Sequence, residues 1–215
     1  MPVVNPDPLP WLDRLRQAQA IAVIRTSAWQ QGLWMAQAVV QAGFSMVEIT
    51  WNSDRPAHLV NQLRQRYPAC CIGVGTILSS SDLQEAIAAG AQFIFTPHTD
   101  PALIAQARQR NLPMVPGALT PTEIIQAWRA GSSGVKVFPA QSVGGPQYIH
   151  HLQGPLGHIP LIPTGGVTQT TARRYLEAGA IAVGVAGCLF DREILASQNS
   201  ARLEQHLTQF RASLP

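Results

Sequence analysis

Gly134-Val135-Lys136-Val137-Phe138-Pro139 is an apolar run with a single charge in it, and Lys136 is the only lysine in the 215-residue chain. Elsewhere the chain meets its need for positive charge with arginine, so a lysine set between two valines has a role other than solubility. A continuous apolar run of this length reads as a buried strand. Side chains alternate faces along a strand, so Lys136 shares one face with Gly134 and Phe138, while Val135 and Val137 occupy the other. An ammonium buried without a partner tends to shed its proton, and the neutral amine that remains is the nucleophile of Schiff-base chemistry. The alternative is a structural lysine that snorkels to solvent at a strand end or pairs with a buried acid.

Outward from this run, seven similar ones occur near residues 21–24, 46–50, 71–75, 93–95, 113–115, 160–163 and 181–185, each followed by a helical pattern. Gly43, Gly90, Gly131 and Gly179 each fall shortly before the next run, where a helix C-terminal glycine belongs. Helix starts are signalled by Ser81-Asp82-Leu83-Gln84-Glu85 and by Thr120-Pro121-Thr122-Glu123, which pair a hydroxyl residue with a following acid. Strands alternating with helices at this spacing predict parallel strands covered on both faces. Eight such units predict an α/β fold of the (β/α)8 TIM-barrel type, one domain over residues 1–215; an open doubly wound sheet is the alternative. Trp11, Leu12, Leu15 and Ala18 recur at helical spacing ahead of the first strand, which predicts an amphipathic lid helix. Residues 1–10 read as a proline-rich arm with neither a basic segment nor an apolar core of a signal peptide.

Composition narrows the function. Hydrophobic residues make up 46% and charged residues 13%, the profile of a globule with a large core. The formal charge is +3, but the arginines are scattered and only Arg173-Arg174 are adjacent, so a nucleic-acid partner is not expected. Cys70, Cys71 and Cys188 have neither metal-ligand nor disulfide-framework spacing, and no stretch reaches membrane-spanning length, so a cytoplasmic protein is expected. His150-His151 lies on a predicted helix, where adjacent residues diverge, and His98 has no partner at metal-ligand spacing.

In such a barrel the active site lies at the C-terminal strand ends. Parity places Met46, Glu48 and Thr50 on one face, so Glu48 and Lys136 both point inward. The pair is either a structural ion pair or a nucleophile with its proton shuttle. Gly165-Gly166 and the 184–187 turn follow the seventh and eighth strands, where backbone N–H groups can receive a phosphate or carboxylate; tight turning is the other explanation.

Val-Glu-Ile-Thr (47–50), Gly-Val-Gly-Thr (73–76), Lys-Val-Phe-Pro-Ala (136–140) and Pro-Thr-Gly-Gly-Val (163–167) together resemble the class I aldolases acting on 2-keto-3-deoxy-6-phosphogluconate and related 2-keto acids. The resemblance runs from about Ile21 to about Phe190. It implies that Lys136 forms the Schiff base and Glu48 shuttles protons. It further implies that Thr76 and Thr164 hold the pyruvyl end, that Phe138 packs beside the lysine, and that Gly165, Gly166 and the turn ending at Gly187 receive the phosphate. It implies a homotrimer, a small 2-keto acid as substrate, and no metal or cofactor. Departures bear on the substrate. Asn52 stands where the phosphogluconate branch has arginine; Asn52-Ser53, Arg25 and Gly145-Pro146-Gln147-Tyr148-Ile149 look more like the 2-keto-3-deoxy-6-phosphogalactonate branch. Gly187 replaces an expected hydroxyl residue, and Pro97-His98 stands at the usual Pro-Gly. The aldehyde product is therefore open among glyceraldehyde 3-phosphate, glyoxylate and an unphosphorylated aldehyde. Two further readings compete: a phosphosugar isomerase or synthase without covalent chemistry, and a non-catalytic acid-binding barrel.

Overall fold

A computed structural model describes residues 10–215, so all but Pro10 of the expected proline-rich arm lies outside the described residues. The first half of the chain alternates α1 (Trp11–Ala18), β1 (Ala20–Ile24), α2 (Trp29–Gln41), β2 (Met46–Thr50), α3 (Pro56–Arg66), β3 (Cys71–Gly75), α4 (Ser80–Ala88), β4 (Ile94–Phe95) and α5 (Pro101–Gln109). The second half continues with β5 (Met114–Val115), β6 (Gly117–Ala118), α6 (Pro121–Arg129), β7 (Val135–Val137), a 3-10 turn (Ala140–Val143), α7 (Pro146–Leu156), β8 (Leu161–Pro163), α8 (Gln169–Glu177), β9 (Val183–Val185), α9 (Arg192–Ser197) and α10 (Ser200–Ala212).

Every strand pairing is parallel. The order is β5-β4-β3-β2-β1-β9 in one six-stranded sheet and β6-β7-β8 in a second, three-stranded one. The single eight-stranded barrel expected from the sequence is thus divided into two hydrogen-bonded sheets. The division has a local cause at each junction. Pro116 separates β5 from β6 and has no N–H to give to a ladder, although its carbonyl accepts from the Lys136 N–H at 2.9 Å. At the other junction β8 and β9 meet through an isolated Thr164–Gly184 bridge and the Ile181 N–H, which donates to the Leu161 carbonyl at 3.0 Å.

The parity read from the sequence is present. Val47, Ile49, Val135 and Val137 belong to the apolar layer between strands and helices. Met46, Cys71, Phe93, Phe95, Val115 and Ile162 form a second cluster on the opposite face, packed with Leu15 and Ala18 of α1. That contact corrects the lid expectation. Trp11 lies 5.5 Å from Phe93, ring to ring, and its Nε1–H donates to the Ser133 carbonyl at 3.0 Å. Phe93 and Ser133 precede β4 and β7, so α1 closes the N-terminal ends of the strands, away from the polar strand ends.

Local signals explain the helix boundaries. The four glycines read as helix ends all adopt positive φ, between 86° and 101°. Thr120 caps α6 in a reciprocal capping box with Glu123, whose carboxyl is held below its ordinary range by the backbone N–H groups of Thr120 and Leu119. For α4 the expected Ser81–Glu85 start is replaced by Ser79 and Asp82, which make the box two residues earlier. Asp82 does so because its carboxylate accepts from both the Leu78 and Ser79 N–H groups, at 3.2 and 3.1 Å.

Candidate active site

Apart from Glu48 and Lys136, which lie within their strands, the residues singled out in the sequence fall just beyond the C-terminal ends of the strands. Arg25 directly follows β1 and is exposed. Glu48 is in the middle of β2 and only 2% exposed, and Lys136 is in the middle of β7 and 6% exposed. Asn52 lies in the turn after β2, Thr76 directly after β3, Pro97 after β4, Phe138 after β7, Thr164 to Gly166 after β8, and Gly187 after β9.

Electrostatics joins three of them. Burial pushes the Glu48 carboxyl up from the ordinary range, and the positive charges of Lys136 and Arg25 pull against that shift without reversing it. Burial likewise pushes the Lys136 amine down; the Glu48 charge opposes the shift and Arg25 adds to it. Both groups therefore move toward their uncharged forms, an amine with a free lone pair and a carboxylic acid with a proton to give. The Lys136 Nζ also sits 4.7 Å from the centroid of the Phe138 ring. That ring in turn covers Gly165, where an added Cβ would stand 3.2 Å from it.

Backbone geometry shapes the rim. Gly165 and Gly166 have φ of 89° and 76°, so this turn is built on a conformation that side chains resist. Thr76 has φ 62°, an unusual value for a β-branched residue, and such strain is of the order of 1–3 kcal/mol and clusters at functional sites. Asn52, Thr76, Pro97 and Gly187 share the rim with the pair by placement on their strand ends. Gly187 is exposed and has no atom within 4 Å of where a Cβ would be.

Sequence reasoning missed the polar network that fixes the first two loops. Ser53 Oγ accepts from the Thr26 N–H at 3.3 Å and lies 3.0 Å from Thr50 Oγ1. The Asp54 N–H donates to the Thr26 carbonyl at 2.9 Å, while the Asp54 carboxylate accepts from the Trp29 N–H at 3.1 Å. These bonds join the loops that carry Arg25 and Asn52. A serine and an aspartate in a polar loop give no warning of this, because the partners are more than twenty residues away. The cysteines carry no comparable chemistry: burial and the neighbouring Cys71 thiol push Cys70 up to about 12, so it remains an inert core thiol. Among the described residues no group of three or more His, Cys, Asp and Glu side chains is placed to hold a metal ion. Among them, too, no helix is long and apolar enough to cross a membrane.

Fold and site together define a parallel α/β protein with a desolvated amine and a desolvated carboxyl on two of its strands, a class equipped for amine-nucleophile chemistry. The chain belongs to the aldolase family described as KDPG and KHG aldolase, whose profile matches residues 12–206. It is 30% identical to 2-dehydro-3-deoxy-phosphogluconate aldolase of Haemophilus influenzae, over 87% of this chain and 89% of that one. It is 31% identical to the probable 2-dehydro-3-deoxy-6-phosphogalactonate aldolase of Rhizobium meliloti, over 85% of each. A solved structure described as native KDPGal superposes with a TM-score of 0.82 at 30% identity, covering 90% of this chain and 93% of its own.

Proposed function

We propose that this protein is a class I aldolase that reversibly cleaves a 2-keto-3-deoxy-6-phospho sugar acid to pyruvate and glyceraldehyde 3-phosphate. The observation that carries the reading is the desolvation of the chain's only lysine beside a buried glutamic acid. The neutral Lys136 amine attacks the C2 ketone, and the resulting carbinolamine loses water as Glu48 supplies a proton, leaving an iminium ion. Glu48, now a carboxylate, accepts the C4 hydroxyl proton. The C3–C4 bond breaks, its electrons pass into the iminium, and the aldehyde departs. Protonation of the remaining enamine at C3 and hydrolysis of the iminium release pyruvate and free the lysine.

In this reading Thr76 and Thr164 hold the pyruvyl end, and Phe138 covers the amine. Gly165, Gly166 and Gly187 receive the phosphate, and Arg25, Asn52 and Pro97 contact the remainder of the substrate. The eight strand units form one closed barrel and the chain one domain, residues 1–215, a reading supported by the Pro116 carbonyl, which accepts from the Lys136 N–H at the β5–β6 junction, and by the Thr164–Gly184 bridge. The resemblance carries the assembly, a homotrimer in the cytoplasm.

Borohydride reduction in the presence of pyruvate, followed by peptide mass spectrometry, is the direct test. The expected product is an adduct on Lys136, absent in Lys136→Ala, which also loses turnover. With one lysine in the chain, an adduct elsewhere or none at all refutes the mechanism. Coupled assay of pyruvate release from a panel of 2-keto acids, 4-hydroxy-2-oxoglutarate and unphosphorylated acids included, decides the substrate.

A further inference from the structure

Two neighbouring inward positions of β3, Gly73 and Gly75, have no side chain. Neither adopts positive φ, so the backbone there does not call for glycine, and glycine weakens the interior of a strand. What both positions supply is room. A Cβ on Gly73 would run into the Phe93 ring. A Cβ on Gly75 would run into Glu48 Oε1 and stand 2.5 Å from its Cδ and 3.0 Å from its Cγ. The pairing register makes the second contact informative. Glu48 is opposite Gly73, and Thr50 is opposite Gly75. The carboxyl therefore reaches one inward position further along β3 than its own Cα, toward the C-terminal end of the strands. A related approach occurs at β9, where a Cβ on Gly184 would run into Thr164 Oγ1.

We propose that Gly75 is a positioning residue: the space left by its missing side chain is the berth of the Glu48 carboxyl and holds that acid at the level of the strand ends. The effect on turnover rests on the aldolase reading of Glu48. Any side chain at residue 75 moves the carboxyl off β3 and changes its relation to Lys136 and Arg25, which act on its proton affinity.

The test compares Gly75→Ala, Gly73→Ala and the double variant Glu48→Ala/Gly75→Ala, measuring Tm, kcat and KM for pyruvate release, and the pH profile. Gly75→Ala is expected to lower kcat on the order of 10²-fold with a smaller change in KM, and to alter the pH profile as Glu48→Gln does. Gly73→Ala, which meets Phe93 instead, is expected to lower Tm while the folded enzyme keeps its kcat and pH profile. Without the Glu48 side chain the collision disappears, so adding Gly75→Ala to Glu48→Ala is expected to leave Tm unchanged. Where Glu48→Gln lowers kcat, wild-type kcat and pH profile in Gly75→Ala overturn the proposal; an equal loss of Tm with and without the Glu48 side chain overturns it in either case. If Gly75→Ala alone does not fold, a folded double variant supports the proposal and an unfolded one overturns it. Wild-type turnover in Glu48→Gln removes Glu48 from the aldolase mechanism, while the Tm comparison still decides whether Gly75 berths its carboxyl.

Discussion

The two ends of the strands bury inward-facing side chains of opposite chemistry. At the N-terminal ends Met46, Cys71 and Phe93 pack with Leu15 and Ala18 of α1 and keep water out. From mid-strand toward the C-terminal ends the inward positions hold Glu48, Lys136 and Thr164, all less than 8% exposed. Low exposure has different consequences at the two ends. Around apolar groups it contributes stability, roughly 25 cal/mol for each Å² removed from water. Around an amine and a carboxyl it opposes charge, and so exchanges stability for a shifted proton affinity. One end therefore holds the fold and the other tunes the chemistry.

Substitutions at each end test this separation. The largest expected effect is at the polar end. Glu48→Gln is expected to lower kcat by ~10²- to 10⁴-fold, the usual range for general acid–base assistance, with a much smaller change in KM in steady-state assays. A proportionate loss in KM would make Glu48 a binding group instead. Next, Leu15→Ala at the apolar end is expected to destabilise by ~2–5 kcal/mol in denaturant titration, with kcat per folded molecule unchanged. A change in kcat there would mean that the two ends are coupled. The smallest effect is a shift of pH dependence. The Arg25 charge pushes the Lys136 amine further down and pulls the Glu48 carboxyl down. Its removal in Arg25→Gln lets both rise, so both limbs of the kcat/KM profile are expected to move to higher pH. A stationary acid limb would show that Lys136 does not set it.

The regular parts of the chain were legible because their signals are local. The expected strands at 46–50 and 71–75 are β2 and β3 without adjustment, since five consecutive positions buried on both faces leave a run that is apolar but for Glu48 and Thr50. Residues 113–115 led only to β5; the companion segment β6 was not read, because Gly117-Ala118 after a proline carries no strand signal in isolation. Three consecutive serines, Ser79 to Ser81, left the start of α4 ambiguous by two residues until Asp82 selected Ser79. At the site, Lys136 was legible as an anomaly of composition and Glu48 through parity, whereas Gly75 was not. Its function is to be absent from a space that a side chain of another strand occupies.

By itself the sequence determined the alternation of strands and helices, the inward direction of Lys136 and Glu48, and the family motifs, because each depends on residues a few positions apart. Only the tertiary structure decided that α1 closes the far end of the strands, that Ser53 and Asp54 join two loops, and that Gly75 makes room for a carboxyl. It also decided the direction in which the amine and the acid shift, since desolvation depends on everything packed around a group and not on its neighbours in the chain.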